Sequence, residues 1–143
     1  MDTQQLQAFQ AVFRQAPFVA DVGAELVGMS PGECHSALRV EPRHLQHSGQ
    51  VHAGVLTTLA DHSAGAAAQS TLAPGAGFVV TAELKLSLLR PAKGERLRCV
   101  AKVIKPGRQL VFTEAEVYCA RGDSETLVAK LSATMAVVPP NVP

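Results

Sequence analysis

Between Arg43 and Glu83 the chain carries one formal charge, Asp61, and it sits inside a run of small and apolar residues over 52–72. That run is too long and too rich in alanine for a strand, and it is apolar or small on nearly every side. The reading is a helix buried all round. Such a helix has to be enclosed by other elements, which fixes much of what the remaining residues must do.

Downstream, Pro74-Gly75-Ala76-Gly77 ends the helix and four strands are predicted over 78–89, 96–105, 109–120 and 126–138. Leu84, Leu86 and Leu88 alternate with Glu83, Lys85 and Ser87, and Leu127, Ala129, Leu131, Ala133 and Met135 share one face of the last strand. The connectors Pro91–Gly94, Pro106-Gly107 and Arg121–Asp123 are short, which predicts antiparallel neighbours. Upstream, Leu6, Phe9, Val12 and Phe13 fall at helical spacing over 3–15, with Thr3 as N-cap and Pro17 as stop. Two extended segments over 18–40, split by Ser30-Pro31-Gly32, read as a hairpin, and 41–51 as a loop. These elements add up to an α+β fold: a curved antiparallel sheet around one long central helix, with a short N-terminal helix, as a single domain over 1–143.

A chain of 143 residues, 47% hydrophobic and 17% charged, buries enough surface to fold without disulfides or a structural metal. Its net charge of +1 and low aromatic content argue against nucleic acid as a partner. Cys34, Cys99 and Cys119 are odd in number, with no Cys-x-x-Cys pair, and read as buried thiols in a reducing compartment. With no secretory start and no run of 18 apolar residues, the expectation is a cytoplasmic protein that does not span a membrane.

A carboxylate in a buried helix is costly unless paired, so Asp61 is the first candidate for function. The structural alternative has it bonding a buried hydroxyl such as Thr57 or Thr58. The helix start at His52-Ala53-Gly54 offers unpaired N–H groups able to polarise a carbonyl. Seven residues of helix span roughly 10 Å, too far for Asp61 and this N-terminus of one chain to flank a single carbon. If both act, two subunits supply them. His47, His52, Asp61 and His62 match no ligand spacing, so no metal is expected; His35, His44 and His62 read as surface or interface residues. Seven basic residues among nineteen, Arg90, Lys93, Arg96, Arg98, Lys102, Lys105 and Arg108, would attract phosphate if gathered on one sheet edge, or else are charged strand edges guarding against aggregation.

The pattern Gly49-x-x-His52-Ala53-Gly54-x-x-x-x-Leu59-Ala60-Asp61, followed by a small-residue helix and four strands, resembles the PaaI-like (phenylacetate-degradation) family of hotdog-fold acyl-CoA thioesterases. The resemblance implies a long helix wrapped by a curved sheet, with two subunits pairing into one continuous sheet, as a dimer or a dimer of dimers. It implies an acyl-CoA substrate and no cofactor. Asp61 would activate water or attack the thioester, and the backbone N–H of Ala53 from the other subunit would polarise the carbonyl. Gln46 falls where the family has a loop Asn, Thr81 where it has a hydroxyl partner to the acid, and His52 at the motif histidine. Gly54, Val55 and Leu56, with Leu59 beside them, would line the acyl pocket, and Arg90, Lys93 and Arg108 would meet CoA phosphates. Two departures stand out: Ala53 replaces the first glycine of the pair, and Gln46 is one methylene longer than Asn. Two other readings remain: a hydratase or dehydratase on the same fold, and a non-catalytic acyl-CoA-binding module.

Overall fold

The computed structural model describes residues 2–141. Helix α1 (Thr3–Phe13) is capped by Asp2, whose side chain accepts from Gln5 N while Gln5 answers to the Asp2 N–H, so the cap lies one residue before the expected Thr3. Pro17 does not simply stop that helix; it opens a second, α2 (Pro17–Val22), where the sequence predicted extended chain from Phe18. Proline at the first helical position lacks only an N–H that would be unpaired anyway, and Gly23, at φ 91°, supplies the left-handed residue that ends the turn.

Strands β1 (Ala24–Ser30) and β2 (Glu33–Arg39) form the expected hairpin. After a 3₁₀ turn (Pro42–His44) comes α3 (Ala53–Gln69), then β3 (Phe78–Leu88), β4 (Arg96–Lys105), β5 (Leu110–Arg121) and β6 (Ser124–Val138). All six strands join one antiparallel sheet in the order β1-β2-β4-β5-β6-β3. Helix α3 touches every strand, which a flat sheet of six could not allow, so the sheet curves around it. Leu59, Ala60, Ala64, Ala67 and Ala68 of α3 meet Leu97, Val117, Leu131 and Met135 in a single hydrophobic cluster.

Two further expectations need correction. First, β3 and β4 are not neighbours, despite their short connector: β3 pairs with β6 at the far edge. The connector crosses the strand ends on hydrogen bonds, with Leu89 N donating to Val128 O (2.8 Å) and Glu95 N to Ala120 O (3.0 Å). Val128 is the extra residue of a bulge opposite Val117/Tyr118, so it is buried beside Ala129 while Leu127 is only half-buried and leaves the predicted face. Second, α3 is not buried all round. Gly54 and Gln69 are exposed, and Asp61, Gly65 and Ala66 are half-buried along one open flank.

Candidate active site

Asp61 is held near mid-helix, facing β3. Thr81 Oγ1 donates to Asp61 Oδ1 at 2.7 Å, which leaves Oδ2 free to accept from another group. Thr57 and Thr58 take no part: each hydroxyl donates back to a carbonyl one turn earlier, Ala53 O (2.7 Å) and Gly54 O (2.8 Å). The carboxylate opens onto a cavity of about 490 Å³ whose walls come from α1, β1, α3 and β3, including Phe9, Val12, Met29 and Gly65. The sequence reading places the lining on Val55, Leu56, Leu59 and small alanines, of which Ala66 lines this cavity while Val55, Leu56 and Leu59 do not. Leu59 is fully buried in the core, and Val55 and Leu56 border other clefts, because positions two, five and six before Asp61 turn away from its face. His62, next to Asp61, also lines the cavity, though the sequence reading puts it at the surface or an interface, and Gly65 was legible as the i+4 neighbour of Asp61; the contribution of α1 had no local signal.

The start of α3 lies in different surroundings. His52 is its N-cap, with Nδ1 accepting from Gly54 N at 2.8 Å, so the neutral ring carries its proton on Nε2. Val55 N and Leu56 N both donate to His52 O. Of the first N–H groups, that of Ala53 alone has no partner among the described residues, and it lines a cleft of about 270 Å³ with Gln46, Leu56 and Arg90. Among the described residues only glycines have positive φ, so Ala53 needs no glycine-only backbone angle. A methyl at Gly54, by contrast, would stand 3.0 Å from the His52 ring nitrogen, a contact tight enough to disturb the cap. His52, Gly54 and Val55 line a further cleft with Phe18 and Arg43. Asp61 and Thr81 therefore share one cavity, and Gln46 and Ala53 another, with no lining residue in common.

The basic cluster does not gather on a sheet edge, since β4 is an interior strand. Arg98 forms a two-point ion pair with Glu125 (2.6 and 3.1 Å) and lies 4.4 Å over the Tyr118 ring. Lys102 is 4.0 Å from Glu33. Arg90 and Lys93 precede β4 and Arg108 follows it, so a ten-residue strand, about 30 Å long, separates them within one protomer. Two histidines also depart from expectation. His44 is 3% exposed, bonded to Glu41 N (2.9 Å) and Val22 O (2.7 Å). His62 is half-buried, edge-on to Phe13 with centroids 4.3 Å apart and Nε2 donating to Phe13 O at 3.0 Å; burial holds its pKa below the usual value. All three thiols are buried and free, and burial pushes Cys34 up to about 12 and Cys99 to about 11, so neither is a ready nucleophile. No group of three or more His, Cys, Asp or Glu suited to a metal occurs among the described residues, and no helix is long and apolar enough to cross a membrane.

Residues 48–126, more than half of the chain and including Ala53, Asp61 and Thr81 but not Gln46, match the family model described as Thioesterase superfamily. Human acyl-coenzyme A thioesterase 13 is 33% identical over 95 residues, 64% of this chain and 65% of that one. Among solved structures, a thioesterase family protein of Silicibacter pomeroyi superposes with a TM-score of 0.88 at 32% identity, covering 93% of this chain and 97% of its own. The PaaI protein from the phenylacetic acid degradation operon of E. coli shares the fold, with a TM-score of 0.82 at 20% identity over 96% of this chain and 94% of its own.

Proposed function

Because this chain belongs to the thioesterase superfamily and is a thioester hydrolase, we propose that it hydrolyses an acyl-CoA to the free acid and CoA at a site shared between two subunits. The observation that carries the reading is the pairing of Asp61 with Thr81 at the mouth of an apolar cavity, while Ala53, whose N–H is the one at the start of α3 without a partner among the described residues, lines a separate cleft.

Thr81 fixes one carboxylate oxygen and turns the other toward the cavity. That oxygen either takes a proton from water as it adds to the thioester carbon or attacks the carbon itself, in which case water resolves the anhydride. Charge develops on the carbonyl oxygen in both routes, and the N–H of Ala53 from the partner subunit stabilises it, aided by the positive end of α3. The C–S bond breaks as the tetrahedral adduct collapses. In the first route Asp61 returns its proton to the sulfur and CoA leaves as thiol; in the second CoA leaves as thiolate, takes a proton from solvent, and water then hydrolyses the anhydride. Gln46, beside Ala53, positions the water or the thioester, and His52 holds the helix start through its cap. Gly54, Val55 and Leu56 shape the thioester side of the site, and Arg90 and Lys93, on one connector, meet the CoA phosphates. Arg108 would reach the same CoA only from a different subunit.

The two-subunit reading draws support from β3, an eleven-residue edge strand bearing the exposed Phe78, Val80, Leu84 and Leu88. Long apolar edges are pairing surfaces, and pairing β3 with its copy extends the sheet across two subunits. The hydratase reading asks for a histidine working with the acid at one carbon, and the ring next to Asp61, His62, is committed to Phe13.

The test is thiol release from a panel of short, medium, long and aromatic acyl-CoAs, with native protein beside Asp61→Asn. Asn keeps an oxygen for Thr81 but cannot take a proton or attack, so turnover should fall by roughly 10²–10⁴ with folding intact. Undiminished release by the variant removes Asp61 from the mechanism.

A further inference from the structure

The walls of the Asp61 cavity come from two sources. Its floor belongs to α3 and β3, inside the segment that matches the family model, whereas Phe9, Val12 and Phe13 of α1 and Met29 of β1 lie outside residues 48–126. The α1 wall is firmly placed. Gln10 Nε2 donates to Leu26 O at 3.0 Å, Phe13 is buried, and its carbonyl accepts from His62. Phe9 and Val12 remain 42% and 60% exposed, standing at the rim rather than in the core.

The polar side chains lining this cavity are, apart from Asp61 and Thr81, already engaged. Gln69 donates to Gly77 O (3.2 Å) and accepts from Val79 N (3.0 Å). Ser70 donates to Ala67 O (2.7 Å) and accepts from Gly32 N (2.8 Å), and His62 Nε2 is bonded to Phe13 O. No lysine or arginine lines the space. An acyl group with its own carboxylate would meet the Asp61 charge and no counter-charge, and buried polar atoms would lack partners. At about 490 Å³ the cavity lies within the range of pockets that enclose a small organic group.

We infer that the acyl group is uncharged and apolar, and that Phe9 and Val12, as specificity-determining residues on α1, set how long it can be. This rests on the thioesterase reading above. Both side chains stand at the open end, so the far end of a chain whose carbonyl is at Asp61 runs against them. Trimming either one lengthens the space, and enlarging Phe9 shortens it.

The experiment measures kcat/KM for hexanoyl-, dodecanoyl- and glutaryl-CoA in native protein, Phe9→Ala, Val12→Ala and Phe9→Trp, with Val27→Ala, exposed on β1 and outside the cavity, as control. A pocket methylene discriminates by roughly 10-fold or more, so each alanine variant should raise the dodecanoyl-to-hexanoyl ratio about tenfold, with Phe9→Trp lowering it and the control leaving it unchanged. Glutaryl-CoA should be the poorest substrate throughout. Ratios that stay fixed while all rates change together, or a native preference for glutaryl-CoA, overturn the inference. To separate this from the hydrolytic reading, calorimetry measures S-hexyl- and S-dodecyl-CoA binding to the same proteins carrying Asp61→Asn. A tenfold shift in their affinity ratio supports the α1 wall even without turnover; no shift, or no binding, overturns it.

Discussion

Ala53 occupies a position where one substitution can remove a hydrogen-bond donor and spare the helix. Proline at the first helical position has a fixed φ suited to the helix and no N–H, and its predecessor must be extended, as His52 already is at φ −64° and ψ 140°. Ala53→Pro should therefore retain the melting temperature within a few degrees and lose about 10²–10³ in kcat, the scale of an oxyanion donor, with Ala53→Gly active as control. Full activity in the proline variant, measured by thiol release, would move the polarising donor elsewhere. At this scale the sequence was readable where chemistry is locally conspicuous: Asp61 stands out because no other formal charge occurs from 44 to 82. Thr81, twenty residues on, has no local pattern linking it to Asp61, and it was placed there by family resemblance; the 2.7 Å bond is a product of the α3–β3 packing. Phe9 and Val12 were legible only as the apolar face of a helix, because which cavity they border depends on where α1 docks.

The docking of α1 hinges on His62, which joins the helix to α3 through the Phe13 carbonyl and ring. Burial is the main cause of its lowered pKa, opposed by the Phe13 hydrogen bond and by Asp61. Above the unfolded value of 6.5 the ring is neutral folded or unfolded and its contribution to stability is whole. As pH falls through that value the unfolded chain takes up the proton first, so stability declines toward the lower folded value. Melting curves between pH 7.5 and 5 should thus fall more steeply for the native protein than for His62→Gln, and equal slopes would remove His62 as the source. The same scale shows why some elements were legible and others not. Period-two alternation located β3 and β6, and the Pro- and Gly-bearing connectors bounded β4 and β5, all to within about two residues. Helix α2 was missed because Pro17 satisfies the rules for a stop and for a start alike, and six residues give too little period to decide. The place of β3 was missed because connector length does not say which strand ends the connector crosses.

At the scale of the whole molecule, the two edges of the sheet are treated differently. The β1 edge is met by α1, whose Gln10 bonds Leu26 O, whereas β3 carries Thr81, exposed leucines and no further strand. On the proposed mechanism, a helix with an open flank, two separate clefts and a bare apolar edge between them fit a protomer completed by its copy. This arrangement has a consequence that neither half-site has alone. Asp61→Asn and Ala53→Pro each disable both sites of a homodimer, but in a mixed dimer the two lesions fall together in one site and leave the other whole. Random exchange of equal amounts makes half of the dimers mixed, with one of two sites intact, so the mixture should recover about a quarter of native turnover from two nearly inactive preparations. A mixture no more active than its parents, with exchange verified by mass-tagged subunits, would place Asp61 and the Ala53 donor of the same chain in one site. A charge on the β3 edge, as in Leu84→Glu, should act in the same direction on assembly. Sedimentation should then find monomer, and thiol release should fall with it, because each monomer keeps its fold but only half of the groups that act on the thioester.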